Sequence, residues 1–166
     1  MINKEQLIKS ILFETRIIKH LGTKLLPGML GWRPTPGQRS MLELMRYLTC
    51  CASVPAHAAV KDNWDDAEPL EKASESVDHL NFAEAMDAQA RLLKNLIEAV
   101  PHADLTHGQS HMPWGAPCTV GEALVNMVLK PLVAYRMQFF LYLKEAGRSD
   151  IGPAQCWVGV DPQPAT

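Results

Sequence analysis

Pro131 and Tyr135 stand one helical turn apart in the most regularly patterned stretch of the chain, where their side chains would point the same way. Two residues so placed could hold a metal ion or polarise a substrate. Here they are a proline, which donates nothing, and a phenol. Tyr47 and Cys51 form a second pair at the same spacing. A phenol with an ordinary pKa of about 10 is a weak base at neutral pH. Cys51 would attack a substrate only as a thiolate, and the sequence puts no obvious cation beside it.

The other reactive side chains form no recognisable catalytic pattern. Cys50, Cys51, Cys118 and Cys156 make no C-x-x-C pair. Adjacent cysteines diverge by roughly 100° on a helix, so they read as reduced packing residues. His107 and His111 have ligand-like spacing, but Gly108 and Pro113 argue against the helix that would give the spacing meaning, and a surface loop is expected. His20 is expected to face solvent. The acidic run from Asp62 to Glu75 lacks the spacing of a calcium loop and reads as solvated. No nucleophile-elbow, phosphate-loop or dinucleotide fingerprint occurs.

These residues need helices to position them. Thr119-x-x-Glu122 has the form of a capping box and Gly147 of a helix stop. Between them Leu124, Val128, Tyr135, Phe139 and Tyr142 recur at helical steps. Pro131 is expected to kink this helix and to leave the Met127 carbonyl without its donor. A first helix is expected from about Asn3 to Leu26, with Glu14 at the margin of its apolar stripe in preference to facing a polar cavity. A second should start at Thr35-Pro36-Gly37-Gln38, present Met41, Leu44, Leu48 and Cys51, and stop at Pro55. A third should run from Asn81-x-x-Glu84 to Val100. Two long loops, around Trp64 and Trp114, are expected after the second and third helices, and no strand.

Together these elements predict an all-α four-helix bundle over residues 1–147. A Pro-rich tail, 148–166, would be pinned partly by Trp157 and Val158. The 166 residues suit one domain, and sixteen basic against eighteen acidic residues give a net charge of −2 without a basic stripe. Nucleic acid is therefore not an expected partner. The charged N-terminus does not resemble a signal peptide, and no apolar run reaches the roughly 20 residues of a membrane span. A cytoplasmic protein without membrane association is expected.

Three segments resemble the DinB/YfiT-like superfamily of four-helix bundles: Trp32 to Ser40 with Leu42 to Leu48, Thr119 to Leu124, and Ala134 to Gly147. The resemblance implies a metal, often nickel or zinc, on three histidines, one late in the second helix and two four residues apart in the fourth. Those positions here are Tyr47, Pro131 and Tyr135, while Arg136 and Gln138 match the residues that follow the last ligand. The resemblance therefore implies a bundle that has lost its metal triad and carries no metal or cofactor. A homodimer is also implied by the resemblance. The phenols would fill the vacated space or line a small-molecule pocket with Cys51 and Pro131. On this reading the protein is a non-catalytic ligand-binding or structural bundle. The alternative is a metal-dependent thiol transferase or hydrolase of the same superfamily using a displaced site.

Overall fold

A computed structural model describes residues 3–163. The chain is mostly helical, with one small antiparallel hairpin. Helix α1 spans Lys4–Gly22, and Asn3 and Gln6 close its first turn as a reciprocal capping box. It lies against α5 (Phe82–Ala99) and α8 (Lys130–Glu145). The fully buried centre is built from Ile11, Ile18 and Leu21 of α1, Leu93 of α5 and Phe139 of α8, joined by Leu44 from α2 (Met41–Leu48). No helix among the described residues is long and apolar enough to cross a membrane.

The expected second helix is broken in two. Its start is Ser40, not Thr35: Ser40 and Glu43 exchange both capping-box hydrogen bonds, while Thr35 to Gln38 form a turn. Both segments carry a hydroxyl and an amide or acid three residues on. Only the second leads directly into the apolar run that packs. Pro55, expected as a stop, lies in the first turn of α3 (Ser53–Lys61), where a missing N–H deprives the helix of nothing. Pro69 occupies the same position in α4 (Ala67–Ser74), within the segment expected to be a loop. This helix buries none of its residues.

Between α2 and α3 the ladder is interrupted, and Ala52 has no side chain to cap α3. Gln89 of α5 does this work from across the core. Its Oε1 accepts from the Ala52 and Ser53 amides at 3.2 Å each, and its Nε2 donates to the Leu48 carbonyl at 2.9 Å. A side chain 37 residues away in sequence thus satisfies both faces of the joint.

The expected loop after α5 contains α6 (His102–His107) and a hairpin of β1 (Gln109–His111) and β2 (Pro117–Thr119), paired Ser110 to Cys118. Thr119 caps α7 (Val120–Ala123) with Glu122, as its spacing predicted. Gly121 brings α7 against α6 so closely that a Cβ there would sit 2.6 Å from the Leu105 carbonyl oxygen. Backbone cannot yield as a flexible side chain can. Gly121→Ala is accordingly expected to cost about 1–3 kcal/mol in a urea melt, and an unchanged midpoint would show that the two segments separate freely.

From Leu124 to Leu129 the helix widens into a π-helical segment, in which the Lys130 amide reaches back to the Val125 carbonyl. The irregularity sits just upstream of Pro131, whose missing N–H interrupts the ordinary ladder. The Asn126 side chain donates from Nδ2 to the Glu122 carbonyl at 2.8 Å within the same stretch. At the far end of α8, Gly147 has φ +123°, and the Arg148 amide bonds to the Leu143 carbonyl.

Glu14 corrects the sequence reading. It faces inward, not to the margin, and its Oε2 lies 2.6 Å from Nε of Arg136, itself only 2% exposed. The tail is held at several points. Trp157 and Val158 remain about half exposed, whereas Ile151 and Cys156 are buried. Arg136 donates to the Cys156 carbonyl and its guanidinium lies over the Trp157 ring, Arg16 donates to the Val158 carbonyl at 2.7 Å, and Lys24 pairs with Asp161 at 2.5 Å. His20 is accordingly half-buried, with Nε2 3.5 Å from Asp161, and does not face open solvent.

Candidate functional site

Tyr47, Cys51, Pro131 and Tyr135 all line one cavity of about 350 Å³. Helix α2 and the turn after it supply Tyr47 and Cys51, and α8 supplies the others. The Cys51 amide bonds to the Tyr47 carbonyl at 2.8 Å, so the helical turn between them persists past Leu48. The Tyr47 and Tyr135 rings meet edge to face with centroids 4.8 Å apart, and the Arg39 guanidinium lies 4.1 Å from the Tyr47 centroid. The phenols pack against each other without filling the space. A volume of this size holds a small organic molecule.

The sequence missed the outer wall. Trp64 and Trp114 both line the cavity, although they are 45% and 76% exposed, and Glu71 of α4 lines it too. Trp64 follows Asp62, whose φ of +53° turns the chain out of α3. Asp66 fixes that loop by accepting from Lys61 at 2.6 Å and contacting His57 Nδ1 at 2.8 Å. Trp114 sits in the β1–β2 turn, closed by the Met112 amide donating to the Ala116 carbonyl. His111 Nδ1 lies 2.9 Å from Asp62 and ties this turn to the other loop. Tryptophans in otherwise polar connections were the available signal. Their meeting depends on contacts that no local pattern encodes.

The chemistry of the inner wall is muted. Burial, and then Tyr135 beside it, pushes the Tyr47 phenol well above its usual range. At neutral pH it is a donor and not a base. Burial likewise raises the Cys51 thiol far above the usual cysteine value, and raises Cys50 as well. Cys156 rises from the same cause despite Arg136 nearby, and so does Cys118. All four thiols are free, and Cys118 is the one not buried. Iodoacetamide at pH 7 is expected to modify the native protein slowly and first at Cys118, with Cys51 reacting only in denaturant. Rapid native alkylation of Cys51, read by mass spectrometry, would contradict this arrangement.

The set of donors does not fit a divalent ion. The Pro131 side chain offers no ligand atom, and the Tyr47 phenol and the Cys51 thiol are held protonated. Among the described residues no three His, Cys, Asp or Glu side chains form a group able to hold a metal ion. His107 ends α6 and His111 lies on β1, so their four-residue spacing places them on no common helical face. No protein-family model matches this sequence, and no curated protein matches it.

Proposed function

We propose that the protein is a non-catalytic small-molecule-binding bundle of the DinB/YfiT type, in which the positions of a lost metal triad line a ligand cavity. The open volume bounded by Tyr47, Cys51, Pro131 and Tyr135 carries this reading, since packed phenols alone would have closed it. The raised pKa values of Tyr47 and Cys51 leave neither a base nor a nucleophile at neutral pH, which favours binding over turnover. The long helices α1, α5 and α8, with the α2–α3 pair, support a four-helix arrangement. A homodimer belongs to the same proposal on the strength of the sequence resemblance.

Two of the four tryptophans line the cavity, so ligand entry should alter intrinsic fluorescence. A screen of small ammonium, carboxylate and aromatic compounds by fluorescence and thermal shift is expected to yield binders. Trp64→Ala combined with Trp114→Ala should abolish the fluorescence response. Protein purified without a metal-affinity tag should contain no stoichiometric nickel, zinc or iron by elemental analysis. About one ion per chain, or a response insensitive to both tryptophan substitutions and to Tyr47→Phe with Tyr135→Phe, would overturn the proposal.

A further inference from the structure

We infer that the cavity selects an organic cation, a quaternary or tertiary ammonium group on a small body, using aromatic faces and a single carboxylate. This rests on reading the cavity as a ligand site and narrows what would enter it. Four aromatic rings, Tyr47, Tyr135, Trp64 and Trp114, contribute to its lining. Ring faces carry negative electrostatic potential and attract cations whose hydration is weak, tryptophan most strongly. Arg39 already places a guanidinium 4.1 Å from the Tyr47 ring, so this aromatic wall makes such a contact within the chain.

The charges around the cavity point the same way. Glu71 supplies the sole carboxyl side chain of the lining, and it has no ion-pair partner among the described residues. No lysine or arginine lines the cavity, so an anion would meet a carboxyl group and aromatic rings with no countercharge in the lining. Arg39 lies outside the lining, with its guanidinium against the Tyr47 ring. A neutral apolar ligand would gain from burial, but it would leave Glu71 without a partner and the ring faces without their electrostatic contribution. The remaining apolar wall, including Val54 and Met127, suits the hydrocarbon part of such an ion.

The test compares choline with its uncharged isostere 3,3-dimethylbutan-1-ol, by tryptophan fluorescence and calorimetry on the full chain. Choline is expected to bind at least about tenfold more tightly, the size of one or two desolvated cation–π contacts. Glu71→Gln should weaken choline about threefold and leave the alcohol unchanged, and because Glu71 is exposed this variant is expected to fold normally. Equal affinity for the two compounds would overturn the cation assignment while leaving the cavity a ligand site. Binding of neither, together with a failed wider screen, would remove both readings. The same headgroup could arrive free or on a lipid. Free choline should bind without cosedimentation on phosphatidylcholine vesicles, and binding to vesicles alone would overturn the inference.

Discussion

Gln89→Leu is expected to lower the stability of the protein by about 3 kcal/mol or more, among the largest losses from any single polar side chain. The substitution preserves bulk and adds apolar surface, so a purely hydrophobic account would predict a gain. The decisive quantity is the backbone it abandons. Leu48, Ala52 and Ser53 would lose their partners in a site where Gln89 is only 3% exposed. Each buried group left unpaired costs about 1–3 kcal/mol. Urea melts should show the loss, and amide exchange at Ala52 and Ser53 should accelerate beyond the global effect. A loss below about 1 kcal/mol would mean that water enters and replaces the carboxamide. Because Cys51 adjoins the joint, loosening it should also widen the floor of the cavity.

Arg136→Met comes second, with an expected cost of about 3 kcal/mol, the usual range for removing one member of a buried ion pair. The variant strands Glu14, leaves the Cys156 carbonyl without its donor and frees the Trp157 ring. Limited proteolysis should therefore cut the tail first. Adding Glu14→Leu should recover part of the loss, since two apolar groups can replace a buried pair, but not the part that docks the tail. A single-variant cost below 1 kcal/mol would show that solvent already screens the pair.

The same pair fixes a pH dependence. Burial raises the Glu14 carboxyl above its ordinary value, and this outweighs the opposing pull of Arg136. A group whose pKa is raised by folding favours the folded state fully below its unfolded pKa, here about 4.3. That contribution is lost as pH rises through the folded value. Relative to Glu14→Gln, which does not titrate, the native protein should lose stability upward from about pH 4.3 and then level off. A difference that instead grows in favour of the native protein with rising pH would mean that Arg136 wins over burial.

Residues whose partners lie within one turn were legible in the sequence. Thr119 and Glu122 satisfy each other three residues apart, and Pro131 forces its irregularity on the residues immediately before it. Where two local signals competed, reading failed. The hydroxyl of Thr35 and that of Ser40 both offer a cap, and packing of Met41 and Leu44 decides for the second. Pro55 is equally compatible with a stop and with a first turn. Only a helix that continues beyond it, held by Gln89, settles which. Glu14 looked marginal because its partner is 122 residues away.

Local rules of capping and apolar spacing were enough to set a largely helical chain and to pair the inner cavity residues one turn apart, Tyr47 with Cys51 and Pro131 with Tyr135. Tertiary structure alone decided that the phenols leave open space, that Trp64, Trp114 and Glu71 complete its rim, and that Arg136 is buried. The division follows from range. Helical periodicity and capping act over three to four residues, whereas burial, ion pairing and the closing of a cavity depend on groups that only the folded chain brings within a few ångströms.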